Sequence, residues 1–535
     1  MERRFNYTGL CVPEQHYMVD ISPKIAQIRA MVDQGLYFTI NRARQYGKTT
    51  TLLALRRALA TDYLVISISF EGVGDTVFDD EAKFCKMFMS EIQFRLERSR
   101  LVDDKDYIKK WVNPEVTDIP LLRKHLDKVC AGRRIVLMID EVDASTNYRV
   151  YIRFLAMLRD KYLARNRGAE CTFHSVILAG VSDIKNIKFK MTSAGVYTPH
   201  DESTVYNSPW NIATEFKVDM SFHPDEIATM LADYENDHHT GMDIAAVSRE
   251  LYHWTDGYPY LVSKLCYNIA TESQPMGEYL PWPEKPWSKE GVFHAMRLML
   301  WEQNTLFDDI FKNMEMDKEL YDMIYGILIL GAQPRYSPYT PAQNTALMYA
   351  FVKKDGEYVV ISNRIFELLM TTYFMSKDEM RKDRPRRSCV FREDVVKDGR
   401  FDMELALRKF AVYFREVYTE RERDFFEKHG RLFFLIYLSP LVNGGGFYHI
   451  ESQFTDLQRM DVVVDYGREQ FVVELKLWRG EAAREGGLEQ LTGYLKAKGL
   501  STGYMVTFDL RSPERRVPKE EWVEADGCRV FEVVL

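Results

Sequence analysis

Apolar positions along the first half of the chain come in short runs set between longer helical stretches. Leu36-Tyr37-Phe38-Thr39-Ile40 meets a basic, glycine-containing turn and then Thr49-Thr50-Thr51-Leu52-Leu53-Ala54-Leu55, which predicts strand, loop and helix. Alternating Val, Ile and Ser residues from Tyr63 to Phe70 predict a second strand. A third, Arg134 to Ile139, ends in Asp140-Glu141, and a fourth runs from Ser175 to Ala179 before Gly180. Strands alternating with helical patterns predict a mostly parallel α/β sheet.

Between Lys289 and Phe374 the periodicity becomes helical, with a short strand pair around Ala350 to Ser362, the pattern of a winged-helix unit. Arg381 to Arg387 holds five basic residues, one acid and a proline and reads as a linker, although the same run can grip phosphates. Beyond Phe401, a helical segment precedes Gly444-Gly445-Gly446 and three β candidates, Phe447 to Phe454, Met460 to Asp465 and Gln470 to Leu477. A helix from Gly486 to Lys498 and a strand from Gly503 to Phe508 follow. The predicted divisions are a lead (1–33), a P-loop domain (34–280), a winged-helix domain (281–376), a basic linker (377–400) and a C-terminal α/β module (401–535). Composition leaves the lead uninformative.

Composition narrows the class. Hydrophobic residues make up 46% and charged residues 28% of 535, as in a globular protein and unlike a disordered one. The longest nearly apolar run, Leu432 to Val442, is about half of what a bilayer-spanning helix needs. Neither a membrane segment nor a secretory leader is expected. Seven dispersed cysteines without a CxxC pair argue against a disulfide framework and a structural zinc site, and point to the cytoplasm. With a net charge of −8, any nucleic-acid contact has to come from a local basic patch.

Gly47-Lys48-Thr49 stands where a phosphate-binding loop belongs, between a buried strand and a helix start. Lys48 would reach the β- and γ-phosphates of ATP, and the Thr49 hydroxyl would ligate Mg²⁺. The usual first glycine is replaced by Arg42, so the tripeptide alone also fits an ordinary turn with a surface lysine. The acids closing the third strand shift the balance: Asp140 can hold the Mg²⁺ shell through water while Glu141 polarises the attacking water. Arg42 and Arg44 can touch phosphate or pair with acids on the loop's own surface. The predicted nucleotide set is Arg42, Arg44, Gln45, Tyr46, Gly47, Lys48, Thr49, Thr50 and Asp140.

Arg42-Ala43-Arg44-Gln45-Tyr46-Gly47-Lys48-Thr49, the strand ending Ser69-Phe70-Glu71-Gly72 and the Ile139-Asp140-Glu141-Val142-Asp143 box together resemble the AAA-ATPase-like family of bacterial and archaeal proteins, related to the STAND and archaeal ATPases. Ser208-Pro209-Trp210-Asn211-Ile212 and Thr255-Asp256-Gly257-Tyr258-Pro259-Tyr260-Leu261 resemble its later elements, the second a GxP motif. The resemblance spans Gly9 to Phe374. It implies that Ser182 is a polar sensor of the γ-phosphate, against the plain reading of a strand-end serine. In STAND-like proteins the winged helix commonly packs as a regulatory lid, the alternative being a DNA-groove reader.

In the C-terminal module, a two-residue loop at Gly467-Arg468 would make the flanking strands a hairpin and place Asp461 opposite Glu474, with Lys476 on the same face as Glu474. Two facing carboxylates repel unless a cation sits between them, so Asp461, Glu474 and Lys476 read as a Mg²⁺ site for phosphodiester hydrolysis. The alternative is a salt bridge on a half-exposed strand. Gln490 and Tyr494 lie four residues apart on a helix face that can cover this surface. The pattern resembles the PD-(D/E)XK nuclease superfamily over Asp402 to Leu535, in its AAA-associated branch, where Tyr437 to Gly444 also resembles family sequence. That resemblance implies a helix acid, Glu427 with Glu420 as runner-up; Glu451 can also enter. Met460 replaces the usual proline before Asp461.

The adjacent His238 and His239 read as a solvated loop sooner than as metal ligands. The combined expectation is an α/β ATPase, with ATP and Mg²⁺ as cofactors, controlling a Mg²⁺-dependent nuclease-like domain that acts on nucleic acid, DNA first. The domain combination suggests defence against foreign DNA; a homo-oligomer is open on this reading. The alternative is a nucleotide-switched regulatory or DNA/partner-binding protein with a catalytically silent nuclease-like domain.

Overall fold

The computed structural model describes residues 3–99, 102, 104–145, 149–181, 210, 212–272, 282–329, 332–381, 392–397, 399–417, 427–442, 446–449, 462–467, 469–509, 511 and 517–535. They fall into two units: Met1–Ile310 with Leu347–Ala350, and Phe311–Ala346 with Phe351–Leu535.

In the first unit, β1 (Tyr37–Asn41), β2 (Leu64–Ser69), β3 (Ile135–Asp140) and β4 (Ser175–Gly180) form one parallel sheet in the order β1-β4-β3-β2. These are the four predicted strands, displaced by a residue at most at each end. Every residue of β3 and β4 is buried, as a parallel sheet covered on both faces requires. Helices Glu81–Arg98, Ile119–Cys130 and Arg149–Asn166 cover one face, burying Phe88, Ile92, Leu122 and Phe154. Helices Ser22–Asp33 and Lys48–Leu59 cover the other, packing Ile28, Leu52 and Leu55 with Ile40, Val65 and Val136. Parallel pairing brings the C-terminal strand ends to one edge, with Asn41 beside Gly180 and Asp140 beside Ser69. That edge is where α/β sheets of this kind bind ligands.

Further along, helix Ile244–Thr255 turns into helix Pro259–Thr271. The Thr255 hydroxyl donates to the Leu251 carbonyl at 2.7 Å and accepts the Gly257 N–H at 3.1 Å. Asp256 and Gly257 are both left-handed, with φ of 48° and 71°. A Cβ on Gly257 would collide with the Phe222 carbonyl, so this corner admits only glycine.

In the second unit, β5 (Val352–Asp355) and β6 (Tyr358–Ile361) form the expected hairpin, and β7 (Val396–Lys397) pairs with β8 (Arg400–Phe401). The main sheet contains β9 (Gly446–His449), β10 (Val462–Tyr466), β11 (Glu469–Leu477), β12 (Thr502–Phe508), β13 (Lys519–Ala525) and β14 (Cys528–Val534). Its order is β13-β14-β12-β11-β10-β9, with β11, β12 and β14 mutually parallel and the outer pairs antiparallel. Val462 faces Val473 and Tyr466 faces Glu469, the register that the two-residue loop predicts.

Two differences from the sequence reading have physical reasons. The helix after β11 starts at Glu481, before the predicted Gly486, because Gly487 is not a breaker here. It lets the helix approach the sheet, and a Cβ there would lie 3.3 Å from Lys476 and 3.4 Å from the Met505 sulfur. The β13–β14 hairpin, absent from the reading, turns on Asp526-Gly527 with φ of 48° and 78°, the two left-handed residues of a type I′ turn.

Candidate functional site

The loop after β1 closes with Gly47 in the left-handed region, φ 76°, and Lys48 opens the following helix. Lys48 is buried, and its Nζ donates to the carbonyls of Arg42 and Ala43, both at 3.0 Å. Burial pulls its pKa below the usual lysine value, opposed by the charges of Glu141, Asp143 and Asp140. The Thr49 hydroxyl donates to Asp140 Oδ2 at 2.7 Å, so the hydroxyl and carboxylate predicted to share a cation touch each other. Glu141 follows in a left-handed conformation, φ 52°. Burial raises its pKa above the usual glutamate range, with Lys48 acting in the opposite direction.

The rest of the loop is anchored elsewhere. Arg42 donates to the carbonyls of Asn41 and Val218, each at 2.8 Å, and lies over the Phe216 ring at 5.3 Å; burial lowers its pKa. Arg44 reaches Asp309 at 2.9 Å, and Gln45 Nε2 donates to the Thr305 hydroxyl at 3.2 Å. Tyr46 packs edge-on against Tyr258, and burial pushes its pKa up to about 12. Thr50 Oγ1 accepts a long 3.5 Å bond from the Cys11 N–H. Ser182 lies outside the described residues, as do Ser208, Pro209 and Asn211.

The sequence reading missed two features. Asp143 accepts the Val181 N–H at 2.6 Å, which ties the acidic turn after β3 to the end of β4; the Ile-Asp-Glu-Val-Asp box contained that signal. Beside the loop lies a cavity of about 140 Å³, walled by Gly47, Thr50 and Thr51, by Tyr7, Cys11 and Tyr17 of the N-terminal lead, and by Phe222, Pro259 and Tyr260. No periodicity marks an irregular segment as a wall.

In the second unit, Glu474 of β11 is wholly buried. Lys476 Nζ lies 2.6 Å from Glu474 Oε1 and donates to Gln490 Oε1 at 3.2 Å, so the strand pair and the helix residue meet as predicted. The ion pair of the alternative reading is thus present too, on a strand with its centre fully buried. Tyr494 packs with Val463, Val472 and Leu491. Asp461, Glu420 and Glu451 lie outside the described residues, as does the Glu427 side chain, although the helix begins at Glu427. Among the described residues no three His, Cys, Asp or Glu side chains form a metal cage. A phosphate-bound Mg²⁺ does not need one, since it keeps most of its waters. Among the described residues no helix is long and apolar enough to cross a membrane.

A parallel sheet with a lysine loop after β1 and an acidic pair at the end of β3, with β4 between the two strands, defines an ATPase-like domain of the P-loop type. The chain belongs to the AAA-like domain family, whose model matches residues 14–315. No curated protein matches it. Among solved structures, it is similar to the Walker-type ATPase of Pyrococcus abyssi at 11% identity and a TM-score of 0.45, over 68% of this chain and 99% of that one. The ORC2 protein of Aeropyrum pernix, in ADPNP–ADP complexes, gives 11% and 0.35 over 68% and 94%. Cdc6p of Pyrobaculum aerophilum gives 14% and 0.32 over 70% and 97%.

Proposed function

We propose that this protein binds and hydrolyses ATP at the Lys48–Glu141 site and that its nucleotide state controls a Mg²⁺-dependent nuclease-like site built on Glu474, Lys476 and Gln490, acting on nucleic acid. The observation that carries the first half is the 2.7 Å bond from Thr49 to Asp140, set beside a buried lysine and a second acid. Lys48 exchanges the carbonyls of Arg42 and Ala43 for phosphate oxygens, and the loop N–H groups complete the cradle. Thr49 and Asp140 would hold Mg²⁺, which would supply positive charge to the phosphates. Glu141 orients the attacking water and accepts its proton. The neighbouring cavity, walled by aromatic rings and Pro259, takes the adenine base.

For the second half, the support is a fully buried glutamate held by a lysine that also touches a helix glutamine. The pairing of Val462 with Val473 is the register that the expected juxtaposition of Asp461 and Glu474 calls for. Asp461, Glu474 and, from the helix start, Glu427 would hold the cation, which would supply an activated water. Lys476 then steadies charge on the phosphodiester, with its ammonium aligned by Gln490.

Phosphate release from ATP with Mg²⁺, measured together with ADP binding, tests the nucleotide site. Wild type turns over, Lys48→Ala loses binding, and Glu141→Gln keeps binding while slowing at least about 100-fold. Equal turnover in all three would remove ATP hydrolysis from this function.

A further inference from the structure

The Asp256-Gly257-Tyr258-Pro259 corner reaches the phosphate loop through one side chain. Tyr258 is buried, its hydroxyl donates to the Arg44 carbonyl at 2.6 Å, and its ring stands edge-on to Tyr46 with centroids 4.7 Å apart. The corner is itself fixed: the Phe222 N–H donates to the Gly257 carbonyl at 2.8 Å, and left-handed Gly257 lies so close to the Phe222 backbone that no larger residue fits. A tyrosine on so rigid a base acts as a peg.

A trans peptide turns its C=O and N–H in opposite directions. Holding the Arg44 carbonyl toward Tyr258 therefore holds the Gln45 N–H away from it. The two preceding carbonyls, of Arg42 and Ala43, turn instead toward Lys48 Nζ. The direction of the backbone thus changes at the one peptide that Tyr258 grips. Gln45 is also left-handed, φ 56°, a conformation costly for a residue with a side chain, so an outside contact has to hold it.

We infer that Tyr258 is a positioning residue of the nucleotide site: its hydroxyl sets the Arg44–Gln45 peptide so that the Gln45 N–H serves as a phosphate donor. This rests on the nucleotide reading of the Lys48 loop. It also gives the helical corner a direct mechanical link to bound phosphate. Movement of helix Pro259–Thr271 releases the Arg44 carbonyl and weakens the grip on phosphate without touching the lysine or the acids.

The test compares full-length wild type, Tyr258→Phe and Lys48→Ala for binding of ADP and of adenosine. Tyr258→Phe keeps the ring and deletes only the donor. It should weaken ADP binding about tenfold, the scale of one hydrogen bond to a charged partner network, while adenosine binding stays within about twofold. A merely structural role would weaken both ligands alike. Unchanged ADP binding in Tyr258→Phe, with Lys48→Ala impaired, would overturn the assignment of Tyr258 alone, as would equal losses for ADP and adenosine. Absence of ADP binding by wild type would overturn the nucleotide reading and this inference with it.

Discussion

Lys48 and Glu141 carry opposite charges at the same strand edge, and burial works against both of them. The sign for Glu141 sets a pH dependence. A base must be ionised to accept a proton, and burial raises the folded-state pKa of this one. Activity is therefore full above that raised pKa and declines as pH falls through it. The acid limb of the kcat/KM profile for ATP should lie above about 4.3, where an ordinary glutamate titrates; a limb at or below that value would contradict the role of Glu141. Residues of this kind were legible because their spacing is local: Lys48 and Thr49 open a helix, and Asp140 and Glu141 close a strand. The destination of Arg42 was not, since the Val218 carbonyl that it binds lies 176 positions away. Tyr258, 214 positions from Arg44, was hidden for the same reason, although its motif was visible.

Strands β3 and β4 were readable from continuous apolar runs because both faces are covered, whereas β2 showed itself by its alternation of Val, Ile and Ser and is only partly buried. Glycine was the harder letter. Gly486-Gly487 looks like the end of a loop, but the helix runs through it; a Cβ at Gly487 would sit tightly against Lys476 and Met505, while one at Gly486 would meet open space. The Asp526-Gly527 pair was a hairpin signal between β-patterned runs, and its left-handed angles show why that pair of residues stands there. At Gly257 both demands coincide, a positive φ and a close neighbour. Gly257→Ala should cost at least about 1–3 kcal/mol, read as a lowered midpoint in urea unfolding of the full chain, and should weaken ADP binding by displacing Tyr258. Wild-type stability and affinity in that variant would contradict the rigid corner described above.

For the whole molecule, two compact units each hold one candidate phosphate chemistry: a nucleotide loop in the first, and a buried Glu474–Lys476–Gln490 group in the second. The family match from residue 14 to 315 accounts for the first unit and leaves most of the second to physical argument. With a net charge of −8, long-range attraction does not draw nucleic acid to the chain, and local contacts have to do so. The measurement that bears most directly on the coupling is cleavage of single- and double-stranded DNA and RNA with Mg²⁺ by the full chain, under ATP, ADP or no nucleotide. Wild type is expected to cut at a rate set by the nucleotide, Lys476→Ala to cut at least about 100-fold more slowly, and Lys48→Ala to lose its response to nucleotide. Wild type that cuts no substrate under any nucleotide, or Lys476→Ala that cuts as fast as wild type, would contradict the proposed function.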